Sequence, residues 1–253
     1  RPLNLIQTPM VFTNTETAEV TKYAGNAFLA TKITFINEIA DLCEKVGADV
    51  HDVARGIGLD GRIGRKFLHP GPGFGGSCFP KDTLALAYTA REVGAPQTIV
   101  EQVIDVNTTR KKRMAQKVID FCGGSVAGVT IAVLGLTFKA NTDDMRDAPS
   151  LDIVPALQAA GAKIVAFDPE GMEEAARALS GVTFAKTAYD AVSGADLLLV
   201  ITEWHEFRGL DPRRIKEAMR QPRIVDLRNI FDPDEMRGFG FTYEGIGRPK
   251  PRT

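Results

Sequence analysis

The segment from residue 71 to residue 82, Gly-Pro-Gly-Phe-Gly-Gly-Ser-Cys-Phe-Pro-Lys-Asp, joins a dense glycine run to groups that could carry out covalent catalysis. Glycines at this density usually serve a tight bend or a close approach of the backbone to a ligand. Cys78 follows the run directly, with Lys81 and Asp82 close behind it. Because a cysteine beside cationic charge can be held as a nucleophilic thiolate, these residue types indicate a covalent-catalysis site at Cys78.

Three further polar residues are candidates for the same chemistry. Lys22 and Asn26 are four residues apart in a helical pattern and therefore share one helix face. Such a pair can hold a developing oxyanion, although a solvated helix face is the more common arrangement. Asp82 could act as a base or orient a water, or it could simply be a favourable charge in the first turn of a helix. The residues alone leave these alternatives open.

Two other site types fit the glycine run or the cysteine less well. Residues 71–76 match the string G-x-G-x-x-G, but a dinucleotide site needs a preceding strand, and residues 62–69 are basic and loop-like. A cysteine hydrolase would pair Cys78 with one of the three histidines. The local sequences typical of hydrolase cysteines are absent, so neither alternative is favoured.

The elements that must position these groups are helical in the first half of the chain. Apolar residues recur at helical intervals over residues 17–46, Thr13 and Glu16 have the spacing of a capping box, and Gly47 is a typical stop. This pattern predicts one helix of roughly 28 residues. Further helices are predicted after Asp49, from Pro80 to about Gly94, and from Pro96 to Cys122.

The second half alternates between strands and helices. Strands are predicted at residues 129–134, 163–167, 196–201 and 223–226, with helical patterns after Pro149 and at residues 172–179. Such alternation predicts a doubly wound parallel sheet, in which ligands bind beyond the carboxyl ends of the strands. Only one glycine, Gly135, follows the first strand, so nucleotide binding in an unusual manner and no nucleotide binding both remain open.

The predicted fold class is therefore α/β with two domains. Residues 1–122 form an all-α domain and residues 123–253 a Rossmann-like domain, with Gly123-Gly124-Ser125 at the boundary. Lys139, Arg146 and Arg228 follow or lie near predicted strand ends, where a phosphate would be held, although most isolated basic residues are surface charges.

Composition limits the function classes. The chain has 253 residues and a net charge of -1, which gives no electrostatic reason to expect nucleic acid or an anionic membrane as partner. Three scattered cysteines predict neither a disulfide framework nor a zinc site, and they favour a reducing, cytoplasmic setting. No apolar run approaches the roughly 20 residues that a membrane span needs.

Several motifs together carry a family resemblance. They are Lys22-Tyr-Ala-Gly-Asn26, Phe35-Ile-Asn-Glu-Ile39, the segment 71–82, Gly135-Leu-Thr-Phe-Lys139 with Thr142-Asp-Asp-Met-Arg146, and Val225-Asp-Leu-Arg-Asn229. In this order and at these spacings, the chain closely resembles the central and C-terminal parts of the UDP-glucose 6-dehydrogenase branch of the UDP-glucose/GDP-mannose dehydrogenase family. The resemblance extends from about residue 11 to about residue 243.

The resemblance implies a four-electron oxidation of UDP-glucose to UDP-glucuronate with two NAD+. Cys78 then corresponds to the thiol that captures the aldehyde-level intermediate as a thiohemiacetal, which is oxidised to a thioester and hydrolysed. Lys22 and Asn26 correspond to residues that stabilise the C6 oxygen. Asp82 corresponds to the carboxylate linked to the active-site water and to Lys22.

The resemblance also implies binding residues and partners. The implied substrate-binding residues are Arg62, Phe67, Leu68, Phe74, Gly75, Phe138, Lys139 and Arg228. Arg62 is expected to reach the site of a neighbouring subunit, and Arg146 is expected to lie near the cofactor. The long helix resembles the element that packs across a dimer axis, so a homodimer is expected.

The family binds NAD mainly through an N-terminal domain that has no counterpart in this chain, so we expect the chain alone not to carry out the redox reaction. Two further interpretations remain. The chain could be a non-catalytic UDP-binding and dimerisation module, or part of a sister dehydrogenase that acts on GDP-mannose or a UDP-N-acetyl sugar.

Overall fold

The computed structural model describes residues 9–249, and the first half of the chain is built from helices. They are α1 (Thr15–Val46), α2 (Val50–Gly58), α3 (Phe79–Glu92) and α4 (Thr98–Phe121). The long helices α1, α3 and α4 contact one another, and small side chains such as Ala27 and Ala30 let α1 pack closely. The predicted helical first half is confirmed.

The start of α1 differs from the prediction. Asn14, and not Thr13, is the N-cap, and its side-chain oxygen accepts a hydrogen bond from the Thr17 backbone N–H at 3.0 Å. Asparagine is among the strongest N-cap residues, which explains why it takes this position from the neighbouring threonine. The helix has 32 residues and ends at Gly47, whose φ of 76° gives the expected left-handed stop.

The second half contains a six-stranded parallel sheet. Its strands are β1 (Thr130–Leu134), β2 (Lys163–Phe167), β3 (Val182–Phe184), β4 (Leu197–Val200), β5 (Arg223–Asp226) and β6 (Thr242–Gly245). Its helices are α5 (Ser150–Ala159), α6 (Met172–Ala178), α7 (Ala188–Val192), α8 (His205–Arg208), α9 (Pro212–Ala218) and α10 (Pro233–Gly238).

The strand order is β3-β2-β1-β4-β5-β6, which confirms the predicted doubly wound topology. The direction in which successive strands are added to the sheet changes between β1 and β4. At such a switch point the loops that follow the two strands lead away from each other and leave a crevice. The loops after β1, β4 and β5 therefore share one edge of the molecule, and these loops contain Phe138, Glu203 and Arg228.

The sequence prediction missed the two edge strands. β3 has only three residues and is partly exposed, and β6 reads Thr-Tyr-Glu-Gly with alternating burial. Neither contains the continuous apolar run that identifies a strand buried on both faces. The central strands β1 and β4 do contain such runs, and both were predicted.

Alternate side chains of the central strands enter two apolar cores. Ile131 and Val133 of β1 belong to a cluster that also contains Ile36 of α1 and Met114 of α4. Ala132 and Leu134 of β1 belong to a second cluster on the opposite face of the sheet. The core on one face of the sheet is thus continuous with the core of the helical half, which fixes one half against the other. The boundary between residues 122 and 123 stays a prediction.

Two kinds of feature are absent from residues 9–249. None of the helices in this part of the chain is long and apolar enough to cross a membrane. Nor do these residues include a group of three or more His, Cys, Asp or Glu side chains placed to hold a metal ion.

Candidate functional site

Cys78 lies at the N-terminal end of α3 and is an exposed, free thiol. Pro80 in the first turn favours the start of the helix here. Proline lacks a backbone N–H, but an N–H at this position would have no helical partner, so nothing is lost. The dipole and the unpaired N–H groups of a helix N-terminus stabilise a nearby negative charge. The sulfur is therefore accessible and lies at the positive end of the α3 dipole.

Asp82 lies one helical turn beyond Cys78 and is fully buried. Its carboxylate accepts a hydrogen bond from the Asn26 amide at 2.5 Å and pairs with the ammonium groups of Lys22 at 3.3 Å and Lys81 at 3.0 Å. Burial acts to raise the pKa of Asp82, but the hydrogen bonds from Lys81, Asn26 and Lys22 outweigh it and hold this pKa below its ordinary value. The packing of α1 against α3 thus brings Lys22, Asn26 and Asp82 together.

Arg146 approaches the thiol from the sheet half of the molecule. Its guanidinium is paired with Asp144 at 2.7 Å. That pairing is the main reason why the pKa of Arg146 is raised, and a smaller contribution comes from Cys78. Lys81 and Arg146 both line an open cavity of about 510 Å³ beside Ser77, the residue before the thiol. The thiol is therefore flanked by cations from both halves of the chain.

The glycine run packs against the chain itself. A Cβ atom on Gly75 would lie 2.3 Å from the Asp147 carbonyl oxygen, and one on Gly76 would lie 2.6 Å from the Phe138 ring. The Gly76 N–H also donates to the Arg146 carbonyl at 2.7 Å. At Gly75 and Gly76 the glycines allow close approach of the loop after β1, which leaves no room for a side chain.

Three polar residues hold the glycine run in place: Asn37 on α1 and Asn107 and Arg110 on α4. A fourth, Lys111 on α4, holds the loop after β1 that packs on this run. Sequence reasoning assigned a role to none of the four. Asn107 accepts from the Phe74 N–H at 2.8 Å and donates to the Phe74 carbonyl at 3.0 Å, as a neighbouring strand would. The sequence does contain a signal for the three residues on α4: Asn107, Arg110 and Lys111 are spaced so that they share one side of the helix, the buried side.

Arg110 holds the glycine run, and Lys111 holds the loop after β1. The Lys111 ammonium donates to the Asp147 carbonyl at 2.7 Å, and the Arg110 guanidinium donates to the Gly71 carbonyl at 2.7 Å. Both side chains are buried, and burial lowers the pKa of each. The glycine run and the loop after β1 are thus fixed by buried charge from one helix.

A second cavity, of about 420 Å³, lies at the switch point of the sheet. It is lined by Ile33, Lys66, Phe67, His69, Gly73, Phe74, Gly75, Phe79, Phe138, Lys139, Glu203 and Arg228. Six of these residues are among the eight substrate-binding residues implied by the resemblance. Phe67 and Phe74 each pack edge to face on Phe79, with ring centroids 6.0 and 5.9 Å apart, and so form an aromatic wall.

Arg228 is the most firmly held cation of this cavity. Its guanidinium donates to the Ile201 carbonyl at 2.8 Å and to the Phe138 carbonyl at 3.2 Å. It also pairs with Glu203 at 3.0 Å. A guanidinium oriented in this way suits bidentate contact with a phosphate.

The remaining implied binding residues do not line this cavity. Leu68 is only 3% exposed and belongs to the apolar core, so its side chain is not available to a ligand. The Arg62 side chain is 90% exposed and pairs with Asp60 at 2.6 Å. Arg146 lines the cavity beside the thiol instead.

Comparison with known proteins identifies two parts of the chain. The family model described as "UDP-glucose/GDP-mannose dehydrogenase family, central domain" matches residues 16–109, and the UDP binding domain of the same family matches residues 132–233.

Individual relatives agree with these matches. UDP-glucose 6-dehydrogenase of Rhizobium meliloti (strain 1021) is 61% identical over 249 residues, which are 98% of this chain and 57% of that protein. UDP-glucose 6-dehydrogenase TuaD of Bacillus subtilis (strain 168) is 49% identical over 245 residues, which are 96% of this chain and 53% of that protein. The chain spans about half the length of the curated relatives it matches.

A solved UDP-glucose dehydrogenase from the hyperthermophilic archaeon Pyrobaculum islandicum has the same architecture. It superposes with a TM-score of 0.86 at 34% identity and covers 97% of this chain and 54% of that structure. NDP-N-acetyl-D-galactosaminuronic acid dehydrogenase from Methanosarcina mazei Go1 follows with a TM-score of 0.80 at 30% identity, covering 92% of this chain and 51% of that structure.

Proposed function

Because this chain belongs to the UDP-glucose/GDP-mannose dehydrogenase family, we propose that it is the half of a UDP-glucose 6-dehydrogenase that supplies the thiol and binds the UDP-sugar. One observation carries the proposal. An exposed thiol stands at a helix N-terminus, one turn from a buried carboxylate that a lysine and an amide approach from another helix.

The contacts support a division of roles among these groups. Oxidation of the C6 alcohol gives an aldehyde, and the Cys78 thiolate adds to its carbonyl carbon to form a thiohemiacetal. An amide has two N–H donors and an ammonium three, and the described contacts to Asp82 use one from each of Asn26 and Lys22. Donors therefore remain for the C6 oxygen as its charge develops.

The later steps fit the same groups. A second oxidation of the thiohemiacetal gives a thioester at Cys78, and water then attacks the carbonyl carbon to release a carboxylate and the thiol. Asp82 stays ionised and keeps Lys22 oriented toward the reacting oxygen. Bound NAD+ would supply the electron-pair acceptor that both oxidations need. Lys81 and Arg146 fit the anionic part of such a cofactor, because both line the cavity beside the thiol.

The cavity at the switch point suits a nucleotide sugar in size and chemistry. It combines an aromatic wall with the cations Lys66, Lys139 and Arg228. We assign the diphosphate to Lys139 and Arg228, and the sugar to the end near the glycine run, which leads to Cys78. Leu68 belongs to the core and receives no ligand contact, and Arg62 is assigned to the site of a second subunit.

We also infer a homodimer through α1. Phe28, Phe35 and Leu42 occur at intervals of seven residues and are 64%, 50% and 55% exposed. Apolar side chains at this spacing form the seam by which two helices pack. A stripe of large exposed apolar residues on one helix is typical of an interface.

The activity can be tested by fusing this chain to the part of the Rhizobium meliloti relative that it does not match, which supplies the cofactor-binding domain that we assign to the family. The fusion should form NADH when given UDP-glucose. Cys78→Ala should reduce UDP-glucuronate formation by a factor of about 10³ or more, since covalent capture of the intermediate is lost. Cys122→Ala, which alters a partly buried cysteine outside both cavities, is the control. Product formation by Cys78→Ala at the rate of the unaltered fusion would contradict the proposal.

A second candidate is a UDP-binding and dimerisation module without catalysis, which the match of residues 132–233 to a UDP binding domain favours. Calorimetry on the chain alone should detect weak binding of UDP and almost none of NAD+. Tight NAD+ binding would contradict the assignment of the switch-point cavity to UDP. On the fusion, a panel of UDP-glucose, GDP-mannose and UDP-N-acetyl sugars separates the proposed substrate from those of sister dehydrogenases.

A further inference from the structure

Glu203 is the one carboxylate among the described residues that line the switch-point cavity. The charged groups around it, Lys66, Lys139 and Arg228, are cations. A carboxylate repels a diphosphate, so its presence in such a cavity needs a reason other than phosphate binding.

The backbone on both sides of Glu203 is fixed. The Thr202 hydroxyl donates to the Thr137 carbonyl at 2.5 Å, and the Trp204 indole N–H donates to Asp168 at 3.1 Å. The Glu203 carboxylate itself pairs with Arg228, and its side chain is about one-third exposed, at 36%. Glu203 is therefore a preorganised group that faces the cavity, unlike a mobile surface charge.

The carboxylate that usually meets a ribose in a doubly wound sheet is unable to do so here. In that fold an acidic residue at the end of the second strand binds ribose hydroxyls. Asp168 occupies this position after β2, but it is fully buried. Its Oδ2 atom accepts from the Leu136 and Thr137 N–H groups at 2.6 and 3.1 Å and from the Trp204 indole.

We propose that Glu203 replaces Asp168 in this role and accepts a hydrogen bond from the nucleoside part of the ligand, a ribose hydroxyl or the imide N–H of the base. Arg228, paired with the same carboxylate, then binds the diphosphate beside it. The assignment rests on the proposed function of the cavity and adds to it the residue that selects the nucleoside.

A hydrogen bond from the nucleoside to Glu203 predicts a change in relative ligand affinities that a purely structural role of Glu203 does not predict. Loss of the carboxylate removes repulsion from the diphosphate, which should strengthen binding of every analogue. It also removes one hydrogen bond, which should weaken binding only of ligands that carry the matching donor. The ratio of two affinities therefore changes, whereas a general loss of structure would lower both affinities together.

The experiment is calorimetry on the 253-residue chain with UDP, 2′-deoxy-UDP, 3′-deoxy-UDP and N3-methyl-UDP. The unaltered chain should bind UDP about tenfold or more tightly than at least one analogue, because a hydrogen bond to a charged acceptor is lost. In Glu203→Met, which has no acceptor, this ratio should fall below about threefold. In Glu203→Gln, which keeps a neutral acceptor, it should be intermediate.

The analogue that shows the ratio identifies the donor as the 2′-hydroxyl, the 3′-hydroxyl or the imide. Glu206→Gln, which changes an exposed acid three residues away, is the control and should keep the full ratio. Thermal melting checks that each variant is folded, and Glu203→Gln decides the question if Glu203→Met does not fold. UDP binding with the same ratios in all variants overturns this inference alone. Failure of the unaltered chain to bind UDP overturns the proposed function and this inference with it.

Discussion

Asp82 keeps its charge in a fully buried side chain because its partners surround it. The Asn26 amide and two ammonium groups supply more stabilisation than burial takes away, which is why its pKa lies below the ordinary value. The Lys22 side chain remains 60% exposed, so one side of its ammonium group contacts Asp82 and the other side faces solvent. A lysine placed in this way keeps N–H donors on its exposed side.

Asp82→Asn should lower the free energy of unfolding by about 1–3 kcal/mol at neutral pH, because a charged hydrogen-bonding network is broken. Above the ordinary carboxyl pKa of about 4, Asp82 is ionised in both the folded and unfolded chain, and its contribution is fully present. As pH falls through its lower folded pKa, the contribution is lost.

The measurement is the melting temperature of both proteins between pH 7 and pH 3. The difference between them should be largest at neutral pH and should shrink below about pH 4. Asp52→Asn is the matched control, since Asp52 forms an exposed pair with Arg55 that should contribute less than about 1 kcal/mol. A difference that stays constant over the whole range would show that Asp82 is not held ionised by its partners.

At the scale of elements, the site depends on two loops that pack directly on each other. The glycine run lies on the loop after β1, and α4 holds the two loops through Asn107 and Lys111. The loop after β1 contains Asn141 and Asp147 with φ of 61° and 50°, a conformation that non-glycine residues seldom adopt. Such strain persists only where surrounding contacts enforce it.

Gly75→Ala should be strongly destabilising because its methyl group would lie 2.3 Å from the Asp147 carbonyl oxygen. We expect a loss of about 3 kcal/mol or more in the free energy of unfolding, measured by denaturant titration. Gly56→Ala is the control, because a Cβ there meets no atom within 4 Å, and it should be neutral or stabilising by up to about 1 kcal/mol. Equal stability of the two variants would refute the packing argument.

Asn107→Ala should leave the Phe74 N–H and carbonyl unpaired in a buried position. The expected cost is about 2–4 kcal/mol of unfolding free energy. UDP affinity should fall as well, since Phe74 lines the switch-point cavity. Thr108→Ala, at the next position on α4, loses only an exposed hydrogen bond within the helix and should change neither quantity appreciably. Denaturation and calorimetry on both variants test this, and unchanged stability of Asn107→Ala would contradict it.

At the scale of the whole molecule, the halves are joined by a continuous core and by buried charge. Lys117 of α4 pairs with Glu44 of α1 at 2.9 Å and with Glu244 of β6 at 2.8 Å. The helical half supplies the thiol, Lys22 and Asp82, and the sheet half supplies Arg146, Lys139 and Arg228. Both cavities are lined by residues of both halves, so their relative placement determines the site.

The outer face of α1 gives a prediction about assembly. Phe35→Glu should place a charge in the proposed dimer seam and convert the chain from dimer to monomer at micromolar concentration, as measured by sedimentation. Leu59→Glu, which alters an exposed apolar residue outside α1, should leave the dimer intact. A monomeric unaltered chain at that concentration would rule out the proposed interface.

Patterns among residues that are close in the sequence were enough to predict much of the fold of this protein. The helical period predicted α1, the apolar runs predicted β1 and β4, and their alternation with helices predicted a doubly wound sheet. These structural features are local, and local propensity or spacing is enough to reveal them. The glycine, lysine and carboxylate groups beside Cys78 in the chain predicted covalent chemistry on the same local basis, and that chemistry stays a proposal.

Other features depended on atoms that are distant in sequence. The neighbours of Gly75 and Gly76 come from the loop after β1, some 70 residues further along the chain, and the support from Asn107 exists only because α4 passes beside that run. Asp168 and Glu203 both follow strands, and no pattern around either residue says which one is buried and which faces the cavity. Periodicity and composition describe neighbours along the chain, whereas these roles are set by neighbours in space, which only the folded arrangement decides.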